Sequence, residues 1–215
     1  MPVYIHSDEK EICLPRLMIV RGSPGIGKST VSKAINKINS AAKKTYVSVD
    51  AMQHLDLRSP SRNRERLGVK NAALLAASFL EEGFDVVVDY VFDMEEDYND
   101  LLSKIREYCI HRTVDYFLQT FFLDAPLEKV LKRNQSRSGK RGEYMNTALL
   151  KKLYAKVSEK RGQFAGEQII DTSSLSPKQT ARTIISCAEG HINGTEAATL
   201  DLCDADKARA LETED

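Results

Sequence analysis

The run Gly22-Ser23-Pro24-Gly25-Ile26-Gly27-Lys28-Ser29 fits the pattern G-x-x-x-x-G-K-[ST] in full. Each position has a chemical reason. Glycines let the backbone turn tightly enough for successive N–H groups to face one anion, making a nest for phosphate oxygens. A helix that begins near Lys28 adds its positive N-terminal end. The Lys28 ammonium can reach β- and γ-phosphates, and the Ser29 hydroxyl can ligate Mg²⁺. With Thr30 in the first helical turn, the stretch Gly22–Thr30 is the candidate cradle for ATP. A chance glycine-rich turn would lack the strand before it and the helix after it; this chain supplies both.

Two carboxylates stand where such a cradle needs them. Asp89 ends the run Val86-Val87-Val88. A carboxylate at a strand tip beside a phosphate-binding loop can hold Mg²⁺, directly or through water. Asp50 ends Val47-Ser48-Val49, where it can orient an acceptor hydroxyl and take its proton as the γ-phosphoryl group leaves. Taken singly, each could instead cap the next helix. Asp93, Glu95 and Glu96 read as a solvated first helical turn, and Asp124 as structural.

Arginines supply the remaining charge. Between Lys129 and Arg141 lie six basic residues and no acid. Arg133 and Arg137 are one helical turn apart and share a face. Placed over a transferring phosphoryl group, they would stabilise the charge on its equatorial oxygens. The segment Ser138-Gly139-Lys140-Arg141-Gly142 has the flexibility of a lid, which sets lid limits of about 129–145. The plainer reading is a basic, solvated helix end. A second cluster, Arg58, Arg62, Arg64 and Arg66, borders the expected acceptor site. Arg58 and Arg62 could bind an acceptor phosphate or a nucleic-acid backbone. A solvated loop explains the cluster equally well.

These residues need a scaffold, and the chain's periodicity describes one. Leu17–Val20, Tyr46–Val49, Asp85–Asp89, Tyr116–Leu123 and Gln168–Ile170 are short apolar runs of the kind found in strands buried on both faces. Helical stretches are predicted at 28–39, 71–82, 97–111, 127–136, 147–161 and 176–188. Alternating strands and helices imply an α/β fold with a mainly parallel five-stranded sheet covered by helices on both faces, a three-layer sandwich. Ligands in such folds sit outside the carboxyl ends of the strands. All the candidate residues above fall at those ends.

On these residues the chain resembles a P-loop kinase, of the group that includes polynucleotide 5′-hydroxyl kinases, zeta-toxin-like kinases and antibiotic phosphotransferases. The likeness covers roughly residues 15–188. It rests on Gly22–Ser29, Asp50, the run from Gly83 to Asp89, Phe122 to Pro126, the pair Arg133 and Arg137, and Ile169 to Ser173. It implies a P-loop NTPase sandwich with a helical lid, ATP with Mg²⁺, and an acceptor hydroxyl activated by Asp50. It also implies that Thr172 lies near the adenine. Phage-type polynucleotide kinases carry an Arg three residues after the acceptor-site Asp, where this chain has Gln53. The expected activity is transfer of the γ-phosphoryl group to a hydroxyl of a small-molecule or nucleotide-like acceptor. Two alternatives stand beside it: a polynucleotide 5′-hydroxyl kinase, and a nucleotide-binding switch acting through a partner.

Bulk properties narrow the classes. The 215 residues carry 31 Lys+Arg against 31 Asp+Glu, which excludes a uniformly basic coat for nucleic acid but not a basic patch. No apolar run approaches the roughly 20 residues of a membrane span. Cys13, Cys109, Cys187 and Cys203 are scattered with no CxxC pair, the usage of a reducing compartment, so a cytoplasmic location is expected. Residues 195–215 hold seven acids against two bases. They are expected to form a mobile acidic tail behind a kinase domain at 1–194.

Overall fold

The computed structural model describes residues 4–7, 10–53, 61–136 and 145–190. The acidic tail, Arg58, Arg137 and residues 137–144 of the expected lid lie outside these residues. The chain opens with an antiparallel hairpin, β1 (Tyr4–Ser7) and β2 (Lys10–Cys13). The main sheet follows: β3 (Arg16–Arg21), β4 (Lys44–Ser48), β5 (Asp85–Asp89), β6 (Phe117–Asp124) and β7 (Gln168–Asp171). Their spatial order is β4-β5-β3-β6-β7, and every pairing is parallel.

Period-2 alternation divides the core. Leu17 and Ile19 of β3, with Val86 and Val88 of β5, face α2 (Ser61–Glu81) and α3 (Glu95–Arg112). Met18 and Val20, with Val87, Phe121 and Leu123, face the opposite cluster. That side is covered by α1 (Lys28–Asn36), α4 (Leu127–Gln135), α5 (Thr147–Ser158) and α6 (Pro177–Gly190). Removing a side chain such as Ile19 from the centre of this sheet would cost about 2–5 kcal/mol, because its neighbours cannot close the cavity. At the opposite end from the carboxyl tips, Arg16 locks β3 to β5. Its backbone N–H donates to Asp85 Oδ1 at 2.9 Å, and its Nε and Nη2 donate to Oδ2 at 3.0 and 2.6 Å.

Two elements differ from the sequence reading. The hairpin β1–β2 was not expected; its four-residue strands offer too short a pattern. The helix expected from Asn71 begins ten residues earlier, at Ser61, and so takes in Arg62, Arg64 and Arg66. Arg and Glu are nearly as good helix formers as Ala and Leu, so the charged stretch continues the helix rather than forming a loop. Gly68 lies inside it without breaking it. A Cβ there would meet Gln53 Cγ at 2.6 Å, so the glycine permits close packing of α2 on the turn after β4.

Candidate functional site

The site forms because β3 is the central strand. Gly22 leaves the sheet between the tips of β5 and β6 with φ of 143°, and a Cβ there would lie 2.6 Å from the Leu123 carbonyl oxygen. Only glycine meets both demands. Ile26 N–H donates to Ser23 O at 3.3 Å, closing the loop on itself. Gly27 then caps α1 in a left-handed conformation, with φ of 112°. Lys28 is buried, and its Nζ donates to Gly22 O at 3.0 Å and Ser23 O at 3.2 Å, which holds the ammonium at the loop itself. Ser23 is buried, Pro24 and Gly25 are half-buried, and Thr30 is exposed on α1.

Register places Asp89. It pairs with Val20, the second-last residue of β3, and Tyr90 N–H donates to Val20 O at 3.3 Å. Asp89 is fully buried, and its Oδ2 accepts a 2.8 Å hydrogen bond from Ser29 Oγ. Its Oδ1 has no hydrogen-bond partner. Tyr46 of β4 feels the charge of Asp89 from the neighbouring strand. Burial, reinforced by the charge of Asp89, pushes its hydroxyl up to about 12. Nothing in the local sequence singled out Tyr46; it reaches the site only because β4 lies beside β5.

The other expected residues separate into groups. Asp50 opens a single 3₁₀ turn, Asp50–Gln53, directly after Val49, whose N–H donates to Asp89 O at 3.2 Å. Its side chain is exposed at the same end of the sheet. Arg133 lies on the opposite flank. Its Nη1 donates to Ile26 O at 2.9 Å and Thr172 Oγ1 at 3.0 Å, and its Nη2 to Thr172 O at 2.6 Å. Thr172 is buried and donates to Asp124 O through both N–H and Oγ1. Arg133 therefore joins the loop to the Thr172 segment. Arg62 is engaged elsewhere: its Nη1 lies 2.7 Å from Asp97 Oδ2 and 3.6 Å from Glu65 Oε2.

Sequence reasoning also missed Arg21, the residue immediately before the loop. It is fully buried and bonds to the Glu167 carboxylate and to the Phe92 and Lys160 carbonyls. Its guanidinium lies 3.9 Å from the Phe164 ring centroid and 4.8 Å from that of Phe122. A charged residue at the end of an apolar strand was the available signal, since such a residue stays buried only if it is paired.

Similar solved structures share this arrangement of strands and loop. A tunicamycin resistance protein from Deinococcus radiodurans is 19% identical, with a TM-score of 0.58; the match covers 82% of this chain and 96% of that one. The APS kinase CysC of Mycobacterium tuberculosis, in complex with AMPPNP and APS, is 16% identical with a TM-score of 0.55, over 81% of this chain and 98% of that one. A chain of the Pnkp1/Rnl/Hen1 RNA repair complex is 21% identical with a TM-score of 0.56, over 74% of this chain and 49% of that one. The fold is that of the P-loop kinases. No family model and no curated protein matches the sequence. Among the described residues, no helix of this P-loop fold is long and apolar enough to cross a membrane.

Proposed function

We propose that the chain is an ATP- and Mg²⁺-dependent kinase that transfers the γ-phosphoryl group to a hydroxyl of a small-molecule or nucleotide-like acceptor. One observation carries the reading: the Ser29 hydroxyl and the buried Asp89 carboxylate meet beside the glycine loop, with Asp89 Oδ1 unpartnered. Hard oxygen donors of this kind suit Mg²⁺. The described residues contain no cluster of three or more acidic, His or Cys ligands. Mg²⁺ in phosphoryl-transfer sites is held by one or two protein carboxylates together with nucleotide phosphates and waters. Ser29 and Asp89 would hold it, and when bound it would neutralise charge on the β- and γ-phosphates.

The chain's own residues supply the rest. Loop N–H groups from Gly22 to Ser29 bind the phosphates, and the Lys28 ammonium turns from the Gly22 and Ser23 carbonyls toward them. Arg133 fixes Thr172 against the loop and so defines the base-binding flank. Arg137, four residues further on in the sequence and outside the described residues, is the candidate for the transferring group. Asp50 accepts the acceptor hydroxyl's proton from its exposed position at the carboxyl end of the sheet.

Transfer of label from γ-labelled ATP to a mixed panel of hydroxyl acceptors tests this. Lys28→Ala should lower kcat by on the order of 10²–10³-fold, as for removal of one charge-stabilising donor. Asp50→Asn should slow transfer far more than it weakens ATP binding. Full turnover in Lys28→Ala would overturn the assignment.

A further inference from the structure

The turn that carries Asp50 is too short to hold itself. Asp50–Gln53 is a single 3₁₀ turn, closed against the end of β4 by Met52 N–H donating to Val49 O at 3.0 Å. So short a helical piece makes too few hydrogen bonds to offset the entropy of ordering it. What fixes it comes from outside. Val49 is fully buried, and its N–H donates to Asp89 O at 3.2 Å. Met52 packs on the core beneath α2 and α3.

Gln53, the last residue of the turn, is held from two sides. Its Nε2 donates to Tyr90 Oη at 3.1 Å. From the other side α2 leans on it: a Cβ on Gly68 would meet Gln53 Cγ at 2.6 Å and Val49 O at 3.3 Å. Tyr90 is itself a fixed point. It is buried, with its ring edge-on to Phe92 at 5.2 Å between centroids, and Phe92 is fully buried against Tyr98. Met52 and Gln53 thus grip the protein, while Asp50 and Ala51 face outward and exposed.

Tyr90 is also the residue after Asp89. The bond from Gln53 therefore spans the two strand tips that bear Asp50 and Asp89. It adds a side-chain tie to the backbone tie between Val49 and Asp89. A base and a metal-binding carboxylate must keep a constant separation for in-line transfer, since misplacement by about 1 Å can cost about 10²-fold in rate. We propose that Gln53 is a positioning residue: through its hydrogen bond to Tyr90 it holds the Asp50 carboxylate at a set distance from Asp89 during transfer. This rests on the kinase reading above, in which Asp50 is the base, and adds the residue that aims it.

Two variants of the full chain remove the tie from opposite ends. Tyr90→Phe deletes the accepting oxygen and keeps the ring; Gln53→Met keeps the side-chain length and deletes the donor. Hydrogen exchange should quicken several-fold at the Met52 amide in both, with the Val86–Val88 amides unchanged. The rate is read as loss of γ-label from ATP to a mixture of glucose, myo-inositol, adenosine and a 5′-hydroxyl oligoribonucleotide, or to water. Both variants should lower kcat about tenfold while ATP KM moves less than about twofold. Added to Asp50→Asn, Gln53→Met should change the residual rate less than about twofold, because the group it aims is gone. A purely structural tie would lower the rate equally in both backgrounds. Unchanged exchange at Met52, an unchanged kcat, or an equal loss in the Asp50→Asn background overturns the inference while the kinase reading stands. No turnover by the unaltered chain, or turnover that Lys28→Ala leaves intact, overturns both.

Discussion

Arg21–Glu167 and Arg62–Asp97 both join a guanidinium to a buried carboxylate, yet they are built differently. The first is sealed: both side chains have no exposure, two carbonyls take further donors, and two aromatic rings flank the guanidinium. The second is 38% exposed on the arginine side and leaves Asp97 Oδ1 unpartnered. A saturated network can only hold structure in place. An unsaturated one leaves a buried oxygen without a donor, and so contributes less to stability. Arg21 stands one residue before Gly22, so the sealed pair anchors the start of the phosphate loop to the segment after α5.

This contrast predicts a gradient of effects. Arg21→Met should cost the most stability, about 3–5 kcal/mol, because it strands Glu167 buried and unpaired. The double variant Arg21→Met/Glu167→Met should recover most of that loss, since the stranded charge is gone. Denaturant unfolding with the linear extrapolation reads both; a single-variant loss below about 1 kcal/mol would show that the network is dispensable. Arg62→Met should cost less, about 1–2 kcal/mol, because Arg62 is itself part-exposed and the α3 N-terminus still offsets the Asp97 charge. The surface pair Arg112–Glu81, at 3.1 Å with side chains 56% and 31% exposed, provides the control. Arg112→Ala should shift stability by no more than about 0.5 kcal/mol and leave kinetics unchanged. If Arg62→Met costs no more than Arg112→Ala, the two pairs are equivalent and the contrast fails.

The sheet was legible where pattern is local and dense. Asp85–Asp89 could be read because a continuous valine run has no alternative as a buried strand, and the structure keeps those bounds. The start of α2 was not legible, because arginine-rich sequence suits both a helix and a solvated loop; packing against Gln53 and Asp97 decided for the helix. Asp89 was visible from its place at a strand tip, and Gly22 to Ser29 from their spacing. Tyr46, Asp97, Arg21 and Glu167 were not, since each finds its partner across at least 35 positions of chain or through a neighbouring strand.

The amino-acid sequence by itself determined the glycine-rich loop, because the glycine spacing fixes the backbone and the lysine and serine follow within one turn. It also determined which strands are buried and which strand tips bear carboxylates. Tertiary structure decided what those groups face. The order β4-β5-β3-β6-β7 sets Asp89 beside Ser29 and Tyr46, and the reach of α2 back to Ser61 brings Arg62 onto Asp97. Arg62, which the sequence offered equally to an acceptor phosphate, a nucleic-acid backbone or solvent, lies against a buried acid. The reason is physical: a charge's role depends on its partners, and partners distant in sequence meet only when strands take their places in the sheet.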